Sequence, residues 1–395
     1  MKKFLTILWI IILGGAIFIA INKFKPKAEQ PKEITKNTEV TETTNPPQAG
    51  SVPLPIPRSQ SSKTVNEYLK LADNYLEKEY FDKAIDNYLQ ALELDPDSVG
   101  TLALLGEAYL KNNQPDKAKE IFTSASNLNP KSTDLKIYIA KSDLAAREIE
   151  KAKDIIWALD QNDNRVKYYK GIILILYKEL DNAKKIFEEI AKSDPPEPDT
   201  KLTKNTKKFL EAYTTFSYYK ESDKVFLELL LAKTLVDVQE YQTAIPLLFA
   251  ILNTKNNYRD AWIVLGYSYL NINKPADAID ALLQAKALTA EKPETLFFLG
   301  LAYFAKNDID KAIYFVEQAD KYGYEPKDQI DLKLGDLYLL KGNDKKAKKY
   351  YKEAYTMGSG NPIGNIAAIR YNKLTEKELR KYQVNVSAPN SPNSP

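Results

Sequence analysis

The stretch WIVLGYSYLNINKPADAIDALLQA, residues 262–285, decides the fold of this chain. It holds two short runs with apolar residues at helical spacing, separated by polar turn residues, and it therefore predicts a helical hairpin. Gly266 and Ala278 lie in the first and second run, twelve positions apart. We expect the glycine to face the alanine and to remove bulk where the two helices cross. A large side chain at Gly266 would overpack that crossing, at a cost of roughly 1 to 3 kcal/mol.

The same pair of small residues recurs along the chain. In each pair the first residue precedes an alanine by twelve positions, and successive pairs are 34, 34, 31, 61, 34, 34 and 35 residues apart. The chain is therefore predicted to be a tandem array with one interruption. The pairs are Ala72 and Ala84, Gly106 and Ala118, Ala140 and Ala152, Gly171 and Ala183, Ala232 and Ala244, Gly266 and Ala278, Gly300 and Ala312, and Gly335 and Ala347.

The unit at residues 262–285 resembles the tetratricopeptide repeat, whose pattern places W-x2-L-G-x2-Y before the alanine. Trp262, Leu265, Gly266, Tyr269 and Ala278 fill these offsets. Further close matches surround Ala72, Gly106, Gly300 and Gly335, whereas three degenerate units replace the tyrosine with Asp143, Leu174 and Leu235. The resemblance covers roughly residues 65 to 360. It implies an all-α, right-handed α-solenoid of about eight helical hairpins, in which stacked neighbours cover each other's apolar faces.

The long step in the array divides the chain into segments. The interruption carries Phe209, Tyr213 and Phe216 at near-helical spacing, which predicts one unpaired helix or a degenerate hairpin. It either packs between two repeat blocks or acts as a hinge or partner-binding protrusion. The predicted segments are a transmembrane signal anchor at 1–22, a disordered Pro-rich stalk at 23–64, a first repeat block at 65–196, an interrupting helix at 197–224, a second block at 225–360, a capping helix at 361–383 and a disordered tail at 384–395.

The chain begins with an apolar run. Phe4 to Ile21 are eighteen uncharged residues between lysines, a length that can just span a bilayer. We expect a retained anchor, hence a single-pass protein of the cell membrane with its repeats outside the cytoplasm. A cleaved signal peptide, suggested by Gly14 and Ala16, and a buried helix are the alternatives. Within the stalk, the alternating prolines of Val52 to Pro57 favour polyproline II, as a stiff spacer or a docking peptide.

The composition excludes several kinds of chemistry. Among 395 residues there is no histidine and no cysteine, so His-based triads, thiol nucleophiles and His or Cys zinc sites are ruled out. No glycine-rich phosphate loop occurs. The formal net charge is only +3, and lysines alternate with acids along the helices, which is typical of a solvated face. We therefore predict no enzyme activity, no cofactor, no metal, no nucleic acid and no small-molecule substrate.

The resemblance also implies a binding surface. In the family, fixed positions on the first helix of each hairpin line a concave groove. The family's carboxylate clamp is not carried over, because Leu69 and Asp73 stand where it needs lysine and asparagine. In the second block the groove positions are mostly apolar, so they are either an interaction surface or buried by curvature, the capping helix or self-association. They are Ile263, Tyr267, Leu270, Phe297, Leu301, Phe304, Leu332, Asp336 and Leu339.

These features predict a membrane-tethered, non-enzymatic adaptor that holds protein partners in its concave groove. Tyr267, Phe297 and Phe304 are the expected anchors for an apolar segment of the partner. One alternative is an assembly factor for an envelope machine such as a pilus, secretion or cell-wall complex. A remote alternative is a carboxylate-dependent hydrolase, although no unassigned segment is long enough to hold a catalytic domain.

Overall fold

The computed structural model describes residues 63–193, 200–219 and 223–387, with side chains up to residue 376. The regular structure within these ranges is helical, without a strand. Its helices are α1 (Val65–Glu77), α2 (Phe81–Leu94), α3 (Val99–Lys111), α4 (Pro115–Leu128), α5 (Thr133–Ala145), α6 (Ile149–Trp157), α7 (Asn164–Leu176), α8 (Leu180–Ala191), α9 (Lys201–Ser217), α10 (Lys224–Asp237), α11 (Tyr241–Thr254), α12 (Arg259–Asn271), α13 (Pro275–Leu288), α14 (Pro293–Ala305), α15 (Ile309–Lys321), α16 (Lys327–Leu340), α17 (Asp344–Met357) and α18 (Pro362–Ser387).

Consecutive helices pack in pairs, α1 with α2 through α7 with α8 and α10 with α11 through α16 with α17. Neighbouring pairs pack on one another, which gives a solenoid of stacked hairpins. The expected anchor at 1–22, nearly all of the stalk at 23–64 and the chain beyond residue 387 lie outside the described residues. Among the helices of the described ranges, none combines the length and the apolar character needed to cross a membrane.

The first helix of several hairpins begins at a side-chain cap. Thr64 and Glu67 form a reciprocal pair before α1, in which Thr64 N donates to Oε2 of Glu67 at 2.7 Å. Ser98, Ser132 and Asp163 cap α3, α5 and α7 by accepting from a backbone amide two or three residues ahead. These caps satisfy amides that have no partner inside the helix, so they fix where each hairpin starts.

Each hairpin turn uses a residue in the left-handed region, seven positions after the small residue of the repeat. The backbone amide that follows it donates to a carbonyl five residues back, as Gln114 N does to Tyr109 O at 2.9 Å. Asparagine or glycine fills half of these positions, which suits a positive φ. The turn residues, with φ between 55° and 77°, are Glu79, Asn113, Arg147, Lys178, Gln239, Asn273, Asn307 and Gly342.

The small residues serve close packing, but their partner differs from the expected alanine. A Cβ on Gly266 would lie 2.5 Å from Cγ of Leu282, and one on Gly106 would lie 2.5 Å from Cε1 of Phe122. The side chain that covers each glycine therefore comes sixteen positions later, one helical turn beyond the alanine. The alanines twelve positions after the small residues are completely buried in the same helix interface. The glycine must be small because a later side chain covers it, and the alanine must be small because it is itself buried in the close-packed interface.

Helix α9 occupies the interruption of the array and packs against both α8 and α10. Phe209 stacks on Phe187 of α8, with ring centroids 4.6 Å apart, and the Tyr213 hydroxyl donates to the carbonyl of Leu180 at 2.8 Å. One hydrophobic core consequently continues from α5 through α9 to α18. At the C-terminal end, α18 covers the last hairpin, and Arg370 forms an ion pair with Asp336. This helix continues to Ser387, beyond the predicted boundary at residue 383.

Candidate functional site: a concave cleft on the first repeat block

Most of the groove positions expected in the second block are buried. Ile263, Tyr267, Leu270, Phe297, Leu301 and Leu332 are all at most 7% exposed, Phe304 and Asp336 are half-buried, and Leu339 is 36% exposed. The Tyr324 ring, from the segment between α15 and α16, stacks on Phe297 with centroids 4.3 Å apart. Helix α12 also packs directly on both α10 and α14. Their apolar faces are thus mostly core, which agrees with the second of the two alternatives, burial by the fold itself, and Leu339 is the exposed exception.

The three aromatic residues expected to anchor a partner make contacts inside the second block instead. The ring of Tyr267 lies against Phe298, with centroids 5.2 Å apart, and Lys333 Nζ lies 4.8 Å above the Phe304 ring. Phe297 is completely buried. Tyr267 and Phe297 therefore stabilise the stacking of neighbouring repeats and are not accessible to a partner segment in this conformation, whereas Phe304 is half-buried.

An open cleft lies instead on the first block. Its volume is about 590 Å³, and it is bounded by α1, α3, α5, α7, α9 and the turn between α10 and α11. We call it the concave cleft. Its lining residues are Leu76, Glu77, Glu79, Phe81, Glu107, Leu110, Lys111, Asp134, Ile137, Tyr138, Lys141, Ala145, Arg165, Tyr168, Tyr169, Lys201, Leu202, Asn205, residues 238–242, Asn271 and Ile272.

The sequence reasoning missed this cleft, although a signal for it exists. Glu107 and Lys141 directly follow the small residues Gly106 and Ala140, as Tyr267 follows Gly266 in the second block. The offsets that were applied to the second block therefore also mark residues of α3 and α5. In the first block Glu107 and Lys141 fill one of these positions and line the cleft, so the candidate site combines charged and apolar side chains where a mostly apolar one was expected.

An ion pair joins the two blocks across the cleft. Nζ of Lys141 on α5 lies 3.0 Å from Oε1 of Glu240, which belongs to the turn between α10 and α11. Burial lowers the pKa of Lys141, but the Glu240 carboxylate and the neighbouring Tyr169 and Tyr168 together raise it by more, so the net shift is upward. Lys141 therefore stays charged, and Glu240 is its main partner in the cleft.

A hydrogen bond reinforces this contact. The Gln242 side-chain amide donates to Oδ1 of Asn113, in the turn between α3 and α4, at 3.3 Å. We call residues 238–242 the clasp turn, because they bring the second block onto the first. The clasp turn belongs to the hairpin after α9, so the solenoid curves back far enough for its two blocks to meet.

Tyrosine hydroxyls and further charges line the cleft wall. The Tyr138 hydroxyl donates to Oε1 of Glu107 at 2.5 Å. Burial raises the pKa of Tyr169 to about 12, so its hydroxyl remains a donor at neutral pH. The amide of Asn205 donates to the Tyr168 hydroxyl at 3.3 Å. Arg165 forms ion pairs with Asp134 and Asp163.

Lys201 on α9 is influenced by its cationic neighbours. Burial is the main cause that lowers its pKa, the charges of Lys141 and Lys111 lower it further, and the carboxylates of Glu240 and Glu107 oppose them. Three ammonium groups thus share one side of the cleft with the carboxylates of Glu107 and Glu240. This arrangement suits ionic and hydrogen-bonding contacts with a polypeptide. Across the described ranges, no cluster of three or more acidic side chains is placed to hold a metal ion.

The repeated hairpin packing defines an α-solenoid, a class of protein that commonly serves as a scaffold for protein–protein interaction. Three sequence profiles of the tetratricopeptide repeat match it, at residues 75–136, 263–326 and 332–357. These three stretches of the chain are tetratricopeptide repeats. Arrays of this family are in general scaffolds for protein–protein interaction, typically without catalysis of their own, and protein partners are what the repeats indicate here.

Several solved structures are similar to this chain. A thermophilic tetratricopeptide repeat protein from Thermus thermophilus is 17% identical, and the match covers 54% of this chain and 99% of that one at a TM-score of 0.34. One from Parabacteroides merdae is 16% identical, covering 70% and 98% at 0.30. MamA of Desulfovibrio magneticus is 17% identical, covering 49% and 94% at 0.33. The sequence has no significant match among curated proteins.

Proposed function

We propose that this chain is a non-enzymatic adaptor that binds a segment of a partner protein in the concave cleft while residues 1–22 tether it to a membrane. The observation that carries the proposal is the cleft itself, which the four hairpins of the first block line together with α9 and the clasp turn, and which combines charged, tyrosine and apolar side chains. A volume of about 590 Å³ can take several residues of a bound segment.

The cleft is a better candidate than the second block's apolar face. Binding to that face would require Tyr324 to leave Phe297 and would expose side chains that are now buried. The cleft offers Lys141, Tyr138 and Asn205 without such rearrangement of the core. Polar side chains in the cleft also fix how a bound segment is aligned along it, because each hydrogen bond holds one residue of the segment in place.

The membrane tether is supported by the sequence. Phe4 to Ile21 is long enough to span a bilayer, and lysines flank it on both sides. We propose a single-pass anchor with the repeats outside the cytoplasm. Residues 23–62 would then link the anchor to α1 and let the cleft reach partners tens of ångströms from the bilayer.

The proposal is tested by photo-crosslinking the full-length protein in intact cells. The crosslinking residue is placed at Leu110 or Asn205 in the cleft, and at the exposed Thr123 on α4 as a matched control. We expect the same partner from both cleft positions and none from the control. Equal yields from all three positions, or none from the cleft, would refute binding there.

The tether is tested separately by fractionation. We expect the full chain to sediment with membranes and to resist extraction by carbonate, whereas a chain that begins at residue 23 should be released. An accessible protease then reports on which side the repeats lie. A full chain that is extracted as readily as the shortened one would contradict the anchor but leave the cleft proposal intact.

A further inference from the structure

The second helix of the last hairpin, α17, differs in charge from the second helices of the other hairpins. It carries five lysines and two acidic residues, whereas lysines outnumber acids in none of the other seven. The excess continues through the adjoining turn and α18, because residues 341–376 hold eight basic and three acidic side chains. Residues 63–340 have the opposite balance, with 45 acidic and 37 basic side chains. Positive charge is therefore concentrated at the C-terminal end of the solenoid.

Three of these lysines lie on one side of α17. Lys345, Lys349 and Lys352 are all exposed, and steps of four and three residues place them next to one another along the helix. We call these three lysines the basic face. Thr356, four residues after the last of them, continues the same line and is also exposed.

Acidic side chains offset only part of the charge of the basic face. Nζ of Lys349 lies 3.7 Å from Oε1 of Glu353, and Lys341 in the turn before α17 pairs with the exposed Asp310 at 2.6 Å. Both are surface pairs, which hold their charges weakly in water. Among the ion pairs of the described ranges, none involves the other two lysines of the basic face. The face thus keeps an excess of positive charge.

A shallow depression adjoins the basic face at the turn between α16 and α17. Its volume is about 610 Å³. Nζ of Lys346 donates to the Tyr338 hydroxyl at 3.0 Å, and this hydroxyl donates in turn to Glu317 at 2.5 Å. A phosphate group has the charge and the acceptor oxygens that suit a lining of three lysines and one acid. The charged residues of the lining are Lys341, Asp344, Lys345 and Lys346.

Exposed apolar side chains lie near these lysines. Tyr355 follows Lys352 by three residues and is 47% exposed, and Met357 at the end of α17 is 61% exposed. Ile369 on the adjoining α18 is 68% exposed. Lysines beside exposed apolar groups are typical of helices at a bilayer interface, where ammonium groups meet lipid phosphates and apolar groups enter the headgroup boundary. A nucleic acid would use the lysines through its phosphates but would leave the methionine and the isoleucine in water.

We propose that the basic face of α17 docks on the surface of a bilayer that contains anionic phospholipid. Its lysines pair with lipid phosphates, while Tyr355 and Met357 enter the headgroup region beside them. None of these residues lines the concave cleft. The inference goes beyond the proposed function, because it uses neither the cleft nor residues 1–22.

The first test reports where the basic face lies in the full-length protein reconstituted with vesicles. The chain has no cysteine, so Thr356→Cys beside the face and Thr123→Cys on α4, both exposed, can each carry an environment-sensitive fluorophore. Vesicles of phosphatidylcholine are compared with an equal mixture of phosphatidylcholine and phosphatidylglycerol. We expect the label at residue 356 to enter an apolar environment only with phosphatidylglycerol, and the label at residue 123 to stay in water. Added salt should reverse the signal by screening the charges.

The second test separates the basic face from the net charge of the chain. Lys345→Gln, Lys349→Gln and Lys352→Gln together should lower the ratio of docked to undocked protein at least about ten-fold. The matched control replaces three exposed lysines on other second helices and should change this ratio little. Met357→Gln leaves every charge in place and should also weaken docking. Thermal unfolding of each variant verifies the fold. The control substitutions are Lys83→Gln, Lys117→Gln and Lys185→Gln.

Three outcomes overturn the inference. The label at residue 356 stays in water with both kinds of vesicle, or the two triple variants weaken docking equally, or the label responds to oligouridylate and not to phosphatidylglycerol. The last outcome would make the face a nucleic-acid site.

The proposed function fails separately from this inference. If crosslinks from Leu110 and Asn205 are lost while the label at residue 356 still responds to phosphatidylglycerol, the cleft proposal is wrong and the docking stands. If carbonate extracts the full chain as readily as the shortened one, the tether is wrong, and docking is then measured as binding of the protein from solution to the anionic vesicles.

Discussion

The hydroxyl of Tyr88 donates a hydrogen bond to Oδ1 of Asp73 at 2.6 Å. The last hairpin repeats this relationship, in which Tyr351 donates to Asp336 at 2.9 Å, fifteen residues back. Tyr351 covers Gly335, the small residue that precedes the aspartate, and Tyr88 stands at the same offset from Ala72. Asp73 is exposed, whereas Asp336 also forms an ion pair with Arg370 of the capping helix α18.

Two substitutions of Tyr88 measure the contributions of its hydroxyl and of its ring to stability separately. We expect Tyr88→Phe to lower the free energy of unfolding by about 0.5 to 1.5 kcal/mol, the usual net worth of one hydrogen bond. Phe122 fills the same position in the next hairpin, so the phenyl ring itself is tolerated. Tyr88→Ala should cost about 3 to 5 kcal/mol, because the ring is completely buried. Urea unfolding of both variants measures the two contributions, and equal losses would contradict the separation.

The glycines of the array provide a second prediction. Gly266→Ala should lower the free energy of unfolding by about 1 to 3 kcal/mol, because its Cβ would meet Leu282 at 2.5 Å. Gly100 on α3 is the matched control, since a Cβ there meets nothing within 4 Å. Gly100→Ala should raise stability by as much as about 1 kcal/mol through helix propensity. Thermal unfolding distinguishes them by sign, and two changes of the same sign would argue against the steric account.

A third prediction concerns the hairpin-turn residues that adopt a left-handed backbone conformation. Arg147 adopts φ of 68° in the α5–α6 turn and is exposed. Arg147→Gly should raise the free energy of unfolding by about 1 kcal/mol, because glycine avoids the steric cost of a left-handed Cβ. Asn307 adopts φ of 63° in a later turn, and Asn307→Gly should give a smaller gain since asparagine tolerates this region. A loss of stability in Arg147→Gly would mean that its side chain makes a contact worth more than the strain.

The repeat pattern predicted the hairpins well because it is local. Gly106, Gly266 and Gly335 each mark a helix crossing, and every such crossing is close-packed. Even so, the pattern pointed to the alanine twelve positions on, while the covering side chain is sixteen positions on. Both lie on the same face of the second helix, one turn apart, so periodicity alone could not distinguish them.

The candidate site was harder to predict, because burial depends on distant segments. An offset within the repeat says which face of a helix carries Phe297, but not that Tyr324 stacks on it. Likewise, the offset of Lys141 predicts a groove position, but not that Glu240 pairs with it from the other block. Such contacts depend on the curvature of the whole array, which is the sum of many small rotations between neighbouring hairpins.

Two of the expected groove residues differ in burial, and this difference can be measured as a difference in stability. Phe297 is completely buried, so Phe297→Ala should lower the free energy of unfolding by about 3 to 5 kcal/mol. Leu339 is 36% exposed, and Leu339→Ala should cost about 1 kcal/mol or less. Thermal and urea unfolding of the two variants provide the comparison. A Phe297→Ala protein as stable as the Leu339→Ala protein would restore the case for an open apolar groove.

The buried carboxyl group of Asp237 should make the stability of this chain depend on pH between about 4 and 7. Burial raises the pKa of Asp237, at the C-terminal end of α10, to about 7, and the charges of Lys208 and Lys233 only partly oppose this. In the unfolded chain an aspartate has a pKa of about 3.9. The folded state therefore binds this proton more tightly, and its contribution to stability is complete below pH 4 and lost as the pH rises toward 7.

Asp237→Asn should remove that dependence. The amide mimics the protonated acid, so the variant should match the wild type near pH 4 and gain on it up to pH 8, by at most about 4 kcal/mol. Asp97→Asn, which replaces an exposed carboxyl, should show no gain that grows over this range. The chain has no histidine or cysteine whose titration could obscure the effect. Thermal unfolding from pH 4 to 8 is the measurement, and a gain of the same size at both ends would place the cause in packing and not in the proton.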